Sequence, residues 1–194
     1  MAYSATYPAS EQALQTEVER LRQELAEAHR RIAELEARAD VDPLLDILNR
    51  RGFERELARS LAYVQRYSTA AALMFIDLDG FKAVNDRHGH AVGDALLKAV
   101  AAALTGHVRA SDVVGRLGGD EFGVVMWNVE GSSAVAKALA LEQLIGEAHV
   151  PHGAMRLSVG ASAGVVSLAT TSDLTQILDA ADRAMYARKR ERRG

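Results

Sequence analysis

Cysteine is absent from all 194 residues. That excludes disulfides and thiolate metal sites, and it fits a reducing compartment. Long apolar runs are absent too. The longest, such as Ala70 to Ile76 (AAALMFI), fall far short of the roughly 20 residues that a membrane-spanning helix needs. Neither sign of charge dominates: 23 Lys and Arg stand against 26 Asp and Glu, a formal net charge of −3. No basic field therefore argues for nucleic acid. The opening MAYSATYPAS carries no basic stretch followed by an apolar one, so no secretory leader is read and a cytoplasmic setting is expected. What is present, 48% hydrophobic and 25% charged residues, has room for one good-sized core.

Composition divides the chain. Residues 1–10 are expected to be disordered. Residues 11–40 turn to Glu, Arg, Gln, Ala and Leu without Gly or Pro. Within them Leu14, Val18, Leu21, Leu25, Ala28, Ile32, Leu35 and Ala39 recur at gaps alternating four and three. That is a heptad seam, with Val18, Leu25, Ile32 and Ala39 at a and Leu14, Leu21, Ala28 and Leu35 at d. An amphipathic helix packed on its own domain would show a similar stripe. The flanking charges favour a parallel homodimer: g-to-e′ pairing would face Glu17 with Arg22′, Glu24 with His29′ and Arg31 with Glu36′. Such exposed pairs select partner and register and add little strength.

Asp42-Pro43 ends the coil, since a residue before proline disfavours helix and Asp can cap the helix that follows. Residues 41–194 then alternate helical and extended patterns. A helix with Phe53, Leu57, Leu61 and Val64 inward precedes a buried strand ending at Asp77. A helix over Gly93 to Leu104 is followed by strands over Asp112–Leu117 and Phe122–Trp127, a helix over Ser132–Ala148, a strand over Met155–Val166 and a helix over Asp173–Lys189. Strands meeting at Gly118-Gly119 imply antiparallel pairing, so the expected class is α/β of the α+β type, unlike a doubly wound sheet.

The chemistry concentrates at strand ends. Asp77 closes one apolar strand, and Asp120-Glu121 sits at the turn between two others. Three converging carboxylates repel one another unless a cation neutralises them, and hard oxygen ligands suit Mg²⁺ or Mn²⁺. Read blandly, Asp77 and Asp79 cap a loop and Asp120 decorates a turn. Lys82 near the carboxylates fits a metal–phosphate site, and Asn85 with Asp94 offers an amide and a carboxylate to a base edge. No GxxxxGK[ST] occurs, so a nucleoside triphosphate here would not sit in a P-loop.

These segments resemble a known family. GGDEF at Gly118 to Phe122, FIDLDGFKAVNDRHGHAVGDALL upstream, NRRGF at Asn49 to Phe53, SAG at Ser162 to Gly164 and ADRAMYARK at Ala181 to Lys189 are together similar to the GGDEF diguanylate cyclases, from about Val41 to the C-terminus. The resemblance implies a fold like nucleotidyl cyclases and the polymerase palm, a mainly antiparallel sheet flanked by helices. It implies joining two GTP into cyclic di-GMP and two pyrophosphates. Carried onto this chain, Asp77, the carbonyl of Leu78 and Asp120 would hold Mg²⁺ or Mn²⁺, two ions per half-site, with Glu121 assisting and Asp120 and Glu121 catalytic. Asn85 and Asp94 would bind guanine, with His90 nearby. Lys82, Lys189 and Arg193 would bind phosphates, and Gly118 and Gly119 would let the backbone approach the nucleotide. Asp182, Lys189 and Arg193 share a face of the last helix. Arg109 and Asp112 form an RxxD placed as in the family's product-inhibition site, where cyclic di-GMP would bind. One domain would hold one GTP, so the coil would supply the second half-site.

One segment departs from the pattern. Family members usually read DxLTGLxNR, whereas DPLLDILNR puts Leu45 and Asp46 at the Thr and Gly places. A glycine there marks a backbone position that Asp tolerates less well. Two alternatives to an active cyclase stay open: a non-catalytic GTP or cyclic di-GMP receptor acting through a protein partner, and a scaffold whose business is coil-mediated assembly.

Overall fold

In the computed structural model the backbone is described for residues 8–153, 155–171 and 173–193, and side chains for 13–27, 31, 40–153, 155–171 and 173–192. The chain divides into two units, Met1–Ala39 and Asp40–Gly194.

The described residues of the first unit form one helix, α1 (Pro8–Ala39). It takes in Pro8 to Ser10, three residues expected to be disordered, because proline at the first helical turn is pre-set for helical φ. The described seam residues Leu14, Val18, Leu21 and Leu25 are 65, 45, 50 and 57% exposed. Ala28, Ile32, Leu35 and Ala39, with His29 and Glu36, lie outside the described side chains. Arg20 reaches both Glu17 and Glu24 along the helix. Two of the acids expected to face a partner thus carry an intrahelical arginine on the single chain.

The second unit opens with Asp40, buried, whose carboxylate meets Arg51 at 2.9 Å and also Arg55. Next comes a turn, where Asp42 Oδ1 accepts from the N–H groups of Leu44 and Leu45 at 2.9 and 3.0 Å. Asp42 therefore caps this turn and not the following helix. That helix, α2 (Arg50–Tyr67), is capped by Asn49, which accepts from Gly52 N at 3.1 Å. Then follow β1 (Ala71–Asp79), α3 (Phe81–His88), α4 (His90–His107), β2 (Val113–Arg116), β3 (Glu121–Trp127), α5 (Gly131–Glu147), β4 (His149–His152), β5 (Met155–Ser158), β6 (Gly160–Ser167) and α6 (Leu174–Arg193).

The main sheet has the order β2-β3-β1-β6, antiparallel throughout, which is the expected architecture. Strand alternation sends its residues to two cores. Met74, Ile76, Phe122 and Val124 pack with Leu96, Val100 and Leu104 of α4 and Leu141 of α5. Leu73 and Val125 pack with Phe53, Leu57 and Leu61 of α2 and Ile177 and Ala181 of α6. At Gly164 of β6 an added Cβ would lie 2.0 Å from the backbone N of Met185, so α6 lies directly on the strand there.

The expected strand over Met155–Val166 is two strands. β5 pairs with β4 in a separate hairpin, and β6 joins β1 in the main sheet. Val159 between them is buried, so the apolar pattern runs through the break and hides it. The structure also adds α3, whose eight residues are too few to show a helical period.

Candidate active site

The register of β1 on β3 sets the site. Asp77 stands opposite Glu121, and Leu78 N donates to the carbonyl of Asp120 at 3.0 Å. Two carboxylates from distant parts of the sequence and the backbone of Leu78 thereby share one sheet end. Asp77 is buried, its side chain 12% exposed, and Lys189 of α6 sets its ammonium on Asp77 Oδ1. Asp120 has its carboxyl held above the ordinary range, first by burial and then by the negative charge of Asp77. Its own backbone N–H, Lys189 and Arg116 pull the other way. Glu121 turns toward Arg50 of α2, at 3.5 Å.

This donor set can be tested against a hard cation. Among the described residues no group of three or more His, Asp or Glu forms a metal cage. Mg²⁺ seldom uses such a cage; it is held by one or two carboxylates together with substrate phosphates. Asp77 and Asp120, whose charges repel, with the adjacent Leu78 backbone, fit that pattern. Lys189 supplies part of the neutralising charge within the chain.

The loop between β2 and β3 is held by arginines that sequence reasoning left aside. Arg116 donates to the carbonyls of Gly118 and Gly119 at 3.0 and 2.9 Å and pairs with Asp42 at 3.1 Å. Arg50 donates to the carbonyl of Leu117 at 2.6 Å. Neither Gly118 nor Gly119 adopts a positive φ. A Cβ at Gly118 would come within 2.5 Å of the Glu121 carboxylate, and one at Gly119 would meet nothing within 4 Å. The loop is thus a narrow ledge whose outer residue leaves open space.

On the other side of β1, α3 and α4 form a helical hairpin. Asn85 of α3 lies against Gly93 of α4, where an added Cβ would be 1.9 Å from Asn85 Oδ1. That oxygen is buried and has no hydrogen-bond partner among the described residues, which native proteins seldom permit. Asp94 follows Gly93 and is exposed, as are His90 and Lys82. On α6 Asp182 lines a cleft of about 310 Å³ beside Glu121, with Arg50, Leu117 and Met185. Arg193 is the last residue of α6, and its side chain lies outside the described residues.

Arg109 and Asp112 lie apart, in the turn before β2. Asp112 Oδ2 accepts from Arg109 N at 2.9 Å and Oδ1 from Trp127 N at 3.0 Å. The Arg109 guanidinium is exposed, with one long bond to the carbonyl of Trp127 at 3.4 Å. Nearby, Arg59, Tyr63, Ser111 and Trp127 line a cleft of about 540 Å³.

Two further features were missed by sequence reasoning. Ser162 Oγ donates to both oxygens of Asp79 at 3.0 and 3.1 Å. Glu142 is buried among the apolar residues of α5 and holds Arg188 at 2.8 Å. Glu142 leaves one signal in the sequence, an acid set inside the Ala134-Ala138-Leu141-Ile145 stripe.

Comparison with known proteins gives a consistent result. The family described as "Diguanylate cyclase, GGDEF domain" matches residues 39–194. The chain is 38% identical over 173 residues to "Probable diguanylate cyclase DgcE" of Escherichia coli K12, covering 89% of this chain and 16% of that protein. It is 38% identical over 169 residues to diguanylate cyclase TpbB of Pseudomonas aeruginosa, covering 84% of this chain and 38% of that one. The chain therefore spans well under half the length of these two curated relatives. Among solved structures, the coiled coil and GGDEF domain of DgcB from Caulobacter crescentus in complex with c-di-GMP is similar, with a TM-score of 0.69 and 26% identity. That match covers 96% of each chain.

Proposed function

This chain belongs to the GGDEF-domain diguanylate cyclase family, and on that premise we propose that it condenses two GTP into cyclic di-GMP and two pyrophosphates. The observation that carries this reading is the β1–β3 register, which gathers Asp77, Asp120 and Glu121 at one sheet end. In each of two equivalent steps the 3′-oxygen of one GTP forms a bond to the α-phosphorus of the other. The bond from that phosphorus to the pyrophosphate breaks, and the hydroxyl proton departs. Asp77, the Leu78 carbonyl and Asp120, assisted by Glu121, would hold Mg²⁺ or Mn²⁺, two ions in each half-site. Bound there, the metal supplies positive charge for the attacking oxygen and for the leaving pyrophosphate.

The remaining residues position the substrate. Asn85 and Asp94 face guanine, and the unpartnered Asn85 Oδ1 supports this because it awaits a donor. His90 lies near, Lys82, Lys189 and Arg193 take phosphates, and Gly118-Gly119 admit the nucleotide. Two copies of the chain, paired through α1, bring two half-sites together. Cyclic di-GMP at Arg109 and Asp112 restrains turnover, which the exposed guanidinium of Arg109 supports.

The assay is product formation from GTP and Mg²⁺ by the dimeric chain, with Asp120→Asn beside it. Cyclic di-GMP and pyrophosphate in a 1:2 ratio, lost in the variant, are expected. GTP binding without product by the parent chain would instead select a receptor acting through a partner.

A further inference from the structure

We propose that Glu142 and Arg188 form a positioning clamp that fixes Lys189 for the triphosphate; this deepens the cyclase reading and rests on it. Neither Glu142 nor Arg188 lies among the residues placed at GTP, metal or product. Their geometry nevertheless controls the segment of α6 that carries Lys189.

A carboxylate buried to 6% side-chain exposure is stable only when its lone pairs are met by charge or donors. Glu142 meets this requirement completely. Its Oε1 accepts from Ala163 N at 2.8 Å and from Arg188 Nε at 3.0 Å, and its Oε2 accepts from an Arg188 terminal nitrogen at 2.8 Å. The guanidinium fork thus binds two oxygens in parallel, the arrangement that fixes orientation as well as distance. Glu142's hydrogen bonding and charge also hold Arg188 protonated well above its ordinary range.

The partner on β6 matters equally. β6 is the last strand of the main sheet, and Ala163 pairs with Ile76, the residue before Asp77. An edge strand presents unpaired N–H and C=O groups. Here Glu142 takes the N–H of Ala163, and Arg192 donates to the carbonyl of Ala161. Arg192 also lies 3.8 Å from Asp79 and 3.7 Å from Glu142. Three elements, α5, β6 and α6, therefore meet at Glu142, one strand away from the metal-binding carboxylate.

Lys189 is the residue after Arg188. Successive helix residues are about 100° apart, so holding Arg188 toward α5 sets the rotation of α6 that turns Lys189 to Asp77. A long ammonium side chain loses rotamer freedom when it is ordered. A clamp that pre-orders the helix beneath it lowers what remains to be ordered on binding.

The test is a double-mutant cycle on nucleotide affinity. The probe is 3′-deoxy-GTP, which lacks the attacking hydroxyl and cannot condense, with GMP as the reference ligand. Arg188→Ala is expected to weaken 3′-deoxy-GTP about ten-fold and to leave GMP within about two-fold, since GMP lacks the β- and γ-phosphates. In a Lys189→Ala background the same change should cost less than about two-fold, because coupled residues are non-additive. Glu142→Gln, which keeps an acceptor for Ala163 N–H, should reproduce the selective loss and serves if Arg188→Ala fails to fold. Equal weakening of both nucleotides, or an undiminished effect without Lys189, would overturn the clamp while the cyclase reading stands. A parent protein that binds no GTP would overturn both together.

Discussion

Asp120 sits in a turn where burial and the Asp77 carboxylate both disfavour its charged form. A carboxyl with a raised folded-state pKa adds stability while protonated. That contribution is whole below the unfolded-state pKa and is lost as pH rises through the folded-state pKa. Asp120→Asn stays neutral, so its Tm should exceed the parent's at pH 7, with the gain shrinking toward pH 4; thermal melts across that range decide it. The same change should cost roughly 10²–10³-fold in kcat. Asp46 raises a separate residue-level cost. Its φ of 55° is a left-handed conformation that a β-carbon resists, and it falls where the sequence pattern led one to expect glycine. Asp46→Gly should stabilise by about 1 kcal/mol, read as a Tm rise of about 2–4 °C. At the RxxD turn the two side chains separate cleanly. Asp112 holds two backbone N–H groups, so Asp112→Ala should cost about 1–2 kcal/mol of stability. Arg109→Ala spares those bonds and should leave Tm unchanged while relieving inhibition by added cyclic di-GMP. Unrelieved inhibition would remove Arg109 from the product site.

Among the elements, legibility followed length and period. α2, α4, α5 and α6 each bury a stripe at helical spacing, and β1 and β3 are apolar runs long enough to stand out. Their presence could be read from the chain. The carboxylates could be read too, because acids that end apolar strands have few structural reasons to be there. What could not be read depends on distant partners: Arg116 on the carboxylate of Asp42, Arg50 on the carbonyl of Leu117, and Glu142 at the edge of β6. The arginines look like ordinary charges until the fold brings their acceptors near, and the place of Glu142 in an apolar stripe does not say which donors it meets. The α6–β6 contact makes the same point for packing, since nothing local marks Gly164 as the place where a helix backbone touches a strand. Gly164→Ala would put a carbon 2.0 Å from Met185 N and force α6 outward. A loss of about 1–3 kcal/mol is expected, with an increase in KM for GTP as Lys189 moves with its helix. Melting curves and steady-state kinetics measure the two effects separately, and an unchanged KM would detach α6 position from substrate affinity.

For the molecule as a whole, the proposed condensation has two triphosphates presenting attacking oxygen and phosphorus to each other, which would take two copies of the domain if each holds one GTP. α1 gives a physical reason for two copies to meet. Leu14, Val18, Leu21 and Leu25 form an apolar seam 45–65% exposed on the single chain, and a second seam of the same kind would cover it. The charges beside it contribute specificity at most, because Glu17 and Glu24 are already satisfied by Arg20 and exposed pairs are weak. Substituting Leu21→Asp should therefore yield a monomer by sedimentation even in low salt, with the globular unit's Tm unchanged. Tethered sites see one another at an effective concentration near the millimolar range. The parent's specific activity should accordingly be flat with dilution at micromolar protein. The monomeric variant's specific activity should rise in proportion to its concentration, at least ten-fold below the parent in that range. If Leu21→Asp sedimented as a monomer and kept the parent's specific activity on dilution, pairing through α1 would be unnecessary for turnover, and the two half-sites would have to meet through the globular units alone.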